Sequence, residues 1–177
     1  AKTVRIDHHI YCEKIADIEV VDTSFESCCG MIAEFVSESR LKLNPLAAKS
    51  LYTGMVTDSG RFRYDSASSN TFRLASFLME QPFDISSIYS NLYSDDLQNV
   101  KNKAHFLLKI QKTEKPVAYI YTDLEEVKSL NMDIFSISRG MVGTMSDIRG
   151  IDIWVNFTET EKGVLCELRS SKYNINP

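Results

Sequence analysis

None of the four cysteines, Cys12, Cys28, Cys29 and Cys166, stands in the Cys-x-x-Cys spacing of a zinc or dithiol redox site, which excludes both classes. Cys28-Cys29 falls in a helix-like stretch and reads as two small buried residues, and thiols in this pattern fit a reducing cytoplasm. No apolar run approaches the roughly 20 residues a membrane-spanning helix needs, and no signal-peptide pattern is visible, so no membrane partner is expected. Positive charge is in short supply: 20 Lys and Arg against 24 Asp and Glu give a net charge of -4. That excludes a generic basic surface for long duplex nucleic acid, which relies on many cations neutralising phosphates. A short, locally recognised anion remains compatible. No internal repeat or low-complexity segment interrupts the chain.

What is present is an ordinary globular composition, 44% hydrophobic and 25% charged over 177 residues, enough for one large or two small domains. Thr3 to Ile6 and Ile18 to Val21 are short strand-like runs. Thr23 with Glu26 has capping-box spacing and predicts the start of a helix carrying Met31, Ile32, Phe35 and Val36. Asn44 as N-cap with Pro45 at the first helical position predicts a second helix that turns Leu46, Leu51, Met55 and Val56 to the core and ends just before Asp58. Helices follow around Phe72 to Leu78 and over Asp84 to Tyr93. The charged stretch 95–111 is either the domain connector or a surface helix. Beyond it, Val117 to Tyr121 reads as a strand, Thr122 with Glu125 as another capping box, and Leu124 to Leu130 as a short helix. Two alternating runs, Ile151 to Phe157 and Val164 to Arg169, flank Glu161-Lys162-Gly163 and predict a hairpin.

The chemistry-bearing residues cluster in three places. Asp7-His8-His9 closes the first strand, where open α/β sheets gather ligands, and an acid with two imidazoles supplies first-row metal donors. Asp58 lies in Thr57-Asp58-Ser59-Gly60, followed by Phe62-Arg63-Tyr64. Glu167-Leu168-Arg169-Ser170-Ser171 ends the hairpin. In order and spacing these segments resemble the DHH phosphoesterase superfamily, closest to its oligoribonuclease and phosphoadenosine-phosphate phosphatase branch, along essentially the whole chain. The resemblance implies an α/β fold: a parallel-sheet DHH domain over residues 1–100, a linker helix over 101–114, and a smaller α/β DHH-associated domain over 115–177, the first lacking upstream metal motifs and the second cut short.

The resemblance further implies hydrolysis of short oligoribonucleotides or 3'-phosphoadenosine 5'-phosphate by a water that two divalent cations activate, manganese before magnesium. His8 and Asp58 are then metal ligands, and His9 is the catalytic imidazole at the phosphate. Asp7 serves it by accepting an imidazole N–H and fixing the tautomer. Arg169 and Ser170, with Ser171 as a substitute, are the phosphate-binding pair, a guanidinium offering two parallel donors. Arg61, Arg63 and Arg149 are further basic candidates, more ordinarily surface ion-pair partners. Phe62 and Tyr64 are candidates for base stacking, with core packing as the alternative. Met141 and Met145, with Gly140 and Gly143, resemble a close-packed segment without chemistry. Partners are a short RNA or nucleotide substrate and a second copy in a homodimer.

Two departures qualify the match. The His-x-Asn-Pro-Asp-Gly-Asp type motif that members carry upstream is not in this sequence, nor is the glycine-rich loop ending in His that follows the Arg-Ser segment. The chain accordingly reads as a fragment. Competing readings are a cyclic-dinucleotide phosphodiesterase or single-strand exonuclease of the same superfamily, and a catalytically inactive nucleotide-binding module. A pyrophosphatase fits less well, because Arg169-Ser170 sits on a hairpin.

Overall fold

Short polar side chains set the helix starts. A computed structural model describes residues 2–175, in two compact units, Ala1–Ser94 and Asp95–Pro177. In the first, β1 (Val4–Asp7) and β2 (Ile18–Val21) are followed by α1 (Cys28–Ser39), α2 (Pro45–Asp58), α3 (Ser69–Met79) and α4 (Ile85–Tyr93). Asn44 accepts from the Ala47 N–H at 2.8 Å ahead of Pro45, as its sequence predicts. Such a cap stabilises a helix by about 1 kcal/mol. Ser68 and Thr71 form a reciprocal capping box on α3.

The start of α1 differs from the expectation. Its cap is Ser27, whose hydroxyl accepts from the Gly30 N–H at 2.9 Å, rather than Thr23. Glu26 does not reach back along the chain, because it is buried at 2% exposure. Its carboxyl accepts from the Ser27 hydroxyl at 3.0 Å and the Thr71 hydroxyl at 2.7 Å. A buried acceptor that loses its donor bears the full desolvation penalty. Thr71→Val should therefore lower stability by roughly 1–3 kcal/mol in urea denaturation, more than Asn70→Ala next to it; equal losses would mean the Glu26 bond carries nothing.

Helix α2 lines the core through Ala48, Tyr52, Met55 and Val56, the i, i+4, i+7, i+8 stripe of one face. Leu46 lies off that stripe and is 74% exposed, against the expectation that it packs inward, and Asp58 is the helix's last residue rather than the one beyond it. Fully buried Leu74 and Leu78 of α3 complete the cluster with Ile88 of α4. Strand β1 pairs parallel with β2, with Asp7 opposite Val21. Cys28 and Cys29 are only half-buried: the Cys28 thiol turns to the Ile6 carbonyl at 3.5 Å. Cys29 presses on Gly54, where a Cβ would come within 2.2 Å of its Sγ.

The second unit holds α5 (Leu97–Leu108), β3 (Gln111–Lys112), β4 (Val117–Thr122), α6 (Leu124–Ser129), a π-helical turn at Ser136–Gly140, a 3-10 turn at Gly143–Met145, β5 (Ile153–Thr160) and β6 (Gly163–Ser170). Its sheet runs β3-β4-β5-β6. The β4–β5 pair is parallel across α6, and the outer pairs are antiparallel. The stretch 95–111 is thus mainly helix, and it puts Phe106 into this unit's core with Ala118, Ile120, Ile137, Met141 and Met145. Asp123 rather than Thr122 caps α6, accepting from the Glu126 N–H at 2.8 Å. Thr122 is buried in β4, where its hydroxyl accepts from the Lys109 ammonium at 3.2 Å. The molecule is mixed α/β, with parallel strand pairs in both units.

Candidate active site

Alternation along β1 puts Arg5 and Asp7 on one face, and their side chains meet. Arg5 donates from Nε at 3.1 Å and from a terminal nitrogen at 2.6 Å to one Asp7 oxygen, Oδ2. The other oxygen, Oδ1, accepts the His9 backbone N–H at 3.0 Å and faces His9 Nδ1 at 2.8 Å. The His9 backbone N–H, then the Arg5 guanidinium, then the His9 ring hold the Asp7 carboxyl well below the usual carboxylate range. An ionised acceptor at Nδ1 assigns the proton of neutral His9 to that nitrogen and leaves Nε2 open. The His9 side chain is 76% exposed. Arg5 is itself held by the Glu13 carbonyl at 2.9 Å and lies 5.6 Å above the Tyr11 ring.

The lowered pKa of Asp7 acts on stability with a defined sign. Its contribution to stability is complete above the unfolded carboxyl value near 3.8 and is lost as pH falls through the lower folded value. The stability gap between the protein and Asp7→Asn should be constant from neutral pH to about pH 5 and narrow below pH 4. A gap that widens with acid would contradict it.

His8 points to the end of α2. Its Nε2 lies 3.7 Å from Asp58 Oδ2, with side-chain exposures of 18% and 49%. The two imidazole centroids are 4.3 Å apart. Directly after Asp58, Ser59 is buried; its hydroxyl donates to the Met55 carbonyl at 2.6 Å and accepts the Phe62 N–H at 2.8 Å. Gly60, Arg61 and Phe62 follow with φ of 57, 67 and 60 degrees, a left-handed turn that L side chains rarely adopt. Phe62 pays into the core beside Tyr52 and Phe72, which favours the packing alternative over base stacking. Arg61 stacks 4.6 Å over Tyr93. Tyr64 lays its ring against Gly60 and is 58% exposed.

In the second unit Arg169, opposite Trp154 in the register, donates to the Leu168 carbonyl at 2.8 Å and pairs with Glu167 at 3.2 Å. The Ser170 hydroxyl donates to the Asp152 carbonyl at 2.8 Å and accepts the N–H groups of Lys172 and Tyr173 at 3.1 and 2.9 Å. It closes the turn beyond β6, whereas Arg169 keeps donors to spare. Both line one open cleft of about 420 Å³. Met141 and Met145 are core residues of this unit, and Arg149 is exposed in a turn.

The structure thus gathers Asp7, His8, His9 and Asp58 in one unit and Arg169 and Ser170 in the other. Two residues that sequence reasoning missed are Arg5 and Ser59. The signal for Arg5 was available in its spacing of two from Asp7; Ser59 carries none, because its role depends on a turn with positive φ. The fit to a metal is partial. The 3.7 Å between His8 Nε2 and Asp58 Oδ2 is too long for a hydrogen bond and can be bridged by one cation with bonds of roughly 2.1 Å. Among the described residues, no group of three or more His, Cys, Asp or Glu is placed to hold a metal ion. His8 and Asp58 therefore offer two donors to one ion. No described helix is long and apolar enough to cross a membrane.

Comparison with known proteins finds relatives along nearly the whole chain. No protein-family profile matches the chain. The Bacillus subtilis (strain 168) bifunctional oligoribonuclease and PAP phosphatase NrnA is 31% identical over 179 residues, covering 99% of this chain and 57% of that protein. The probable NrnA of Streptococcus mutans is 29% identical, covering 98% and 56%, and the Mycoplasma genitalium NrnA is 31% identical, covering 97% and 54%. The chain spans about half the length of these curated relatives. An exopolyphosphatase-related protein from Bacteroides fragilis shares the fold at a TM-score of 0.82 and 22% identity, over 94% of this chain and 50% of its own. Over nearly all of its length the chain is therefore similar to the NrnA proteins.

Proposed function

We propose that the protein carrying this chain is a metal-dependent phosphoesterase that hydrolyses short oligoribonucleotides and 3'-phosphoadenosine 5'-phosphate. The observation that carries the reading is His8 Nε2 facing Asp58 Oδ2 at 3.7 Å beside the Asp7–His9 pair. In this reading His8 and Asp58 hold a cation, manganese by preference, because imidazole nitrogen with carboxylate oxygen suits it better than thiolate does. Bound cations supply an activated water and polarise the phosphoryl oxygens.

The remaining work falls to the chain's own side chains. His9 presents Nε2 to the phosphate and moves a proton there, and Asp7, clamped by Arg5, keeps that ring's proton on Nδ1. Arg169 grips a terminal phosphate. Metal chemistry is assigned to residues 1–100 and substrate grip to residues 115–177. A terminal-phosphate grip selects short substrates over long strands, in keeping with the net charge of -4. Four unbridged cysteines support a reducing, cytoplasmic setting.

The test is manganese-dependent release of mononucleotide from a 5'-labelled diribonucleotide, and of phosphate from 3'-phosphoadenosine 5'-phosphate, by the protein that carries this chain. Turnover of either substrate that chelation abolishes is expected. Nucleotide binding with no turnover of either would reassign it as a binding module.

A further inference from the structure

The cleft beside Arg169 is lined by a second arginine that none of the roles above uses. Arg139 lines the same cleft of about 420 Å³ as Arg169, Ser170, Tyr173 and Asn174. It sits on the π-helical turn Ser136–Gly140, and such turns occur often at functional sites. Its backbone is firmly placed. Asn156 of β5, fully buried, donates both amide hydrogens, one to the Ile137 carbonyl and one to the Ser138 carbonyl, each at 2.7 Å. Those carbonyls belong to the two residues immediately before Arg139, and both residues are buried.

The Arg139 side chain, by contrast, is exposed, and its guanidinium carbon lies 5.7 Å from the centre of the Phe135 ring. On the same sheet Glu167 pairs with Arg169 at 3.2 Å, and Asp152 with Lys172 at 3.1 Å. Arg139 therefore brings a positive charge and a planar fork of donors to a cleft that already holds one such fork. Two forks on one open cleft suit a tetrahedral dianion, whose three terminal oxygens can accept from both, better than a diester with two.

We propose that Arg139 is a second phosphate-binding residue, which with Arg169 takes the terminal phosphomonoester of a short nucleotide. The inference rests on the phosphoesterase reading for its ligand class, and it deepens that reading by separating monoester from diester recognition. The rigid turn holds the Arg139 Cα in place, so the guanidinium needs only rotamer changes to reach the anion.

The test is a titration of the isotope-labelled chain followed by NMR through the arginine Nε–H signals. The probes are pApA, which carries a terminal phosphomonoester, and ApA, which carries only a diester. With pApA, the Arg139 and Arg169 signals should move together along one binding curve. Arg139→Met should weaken pApA binding about 5- to 20-fold, Arg139→Lys should weaken it less, and neither should change ApA binding, with amide spectra confirming the fold. Unmoved Arg139 signals, or equal weakening for pApA and ApA, would overturn the proposal. Hydrolysis retained alongside either result would discard only Arg139 and leave the phosphoesterase reading standing. Loss of hydrolysis in the unmodified protein would discard that reading by itself, whatever the titration shows.

Discussion

Replacing His8 by alanine should lower manganese-dependent phosphoester hydrolysis by on the order of 10³-fold or more, with little change in melting temperature. Metal charge stabilisation is worth several kcal/mol, and each 1.4 kcal/mol is a factor of ten in rate. Losing the imidazole removes one of the two donors, His8 Nε2 and Asp58 Oδ2, that face each other at 3.7 Å. Asp58→Ala should do the same, and the double variant should be no worse than either single one, because both remove one unit of function. Steady-state kinetics at saturating manganese checks this. A rate within tenfold of the unmodified protein for His8→Ala would exclude it as a ligand.

Gly60→Ala should destabilise the protein by roughly 2–5 kcal/mol, one of the largest effects available from a single methyl group. Gly60 has φ +57, where an L residue costs about 1–2 kcal/mol. The added Cβ would also meet the Tyr64 ring at 2.4 Å, and overpacking adds roughly 1–3 kcal/mol. Gly150→Ala is the matched control, with φ +81 but nothing within 4 Å of its new Cβ, so it should show the backbone cost alone. Denaturant midpoints for the two variants separate the contributions. Equal losses would mean that the ring moves aside freely and that the turn behind Asp58 is softer than its packing implies.

How much of this was legible in the chain depended on how local each cause is. Asn44-Pro45 announces its helix because cap and first turn are neighbours, and the β5–β6 hairpin announces itself through alternation around Glu161-Lys162-Gly163. The start of α1 was misplaced because Glu26 answers to Thr71, 45 positions away. Leu46 was misassigned by composition where angular position decides. The π-helical turn was invisible because Asn156, 18 residues beyond Ser138, holds its carbonyls. At the site, Asp7, His8 and His9 stood out as a group of metal donors at a strand end, whereas Asp58, Arg169 and Ser170 were singled out by the family resemblance. The approach of His8 to Asp58 across 50 positions came from resemblance, and the engagement of the Ser170 hydroxyl in its own turn came from neither.

The thiols carry a practical consequence. Cys12 and Cys166 are exposed, while Cys28 and Cys29 are half-buried, and burial, foremost among the causes, pushes the Cys29 thiol pKa above its ordinary value, which lowers its thiolate fraction and slows alkylation. One exposed thiol lies in each unit: Cys12 between β1 and β2, and Cys166 on β6 three residues before Arg169. A brief maleimide pulse at neutral pH should therefore attach dyes to those two positions first. The native chain then carries its own molecular ruler, on which energy transfer reports any change in the distance between the two thiols when nucleotide is added.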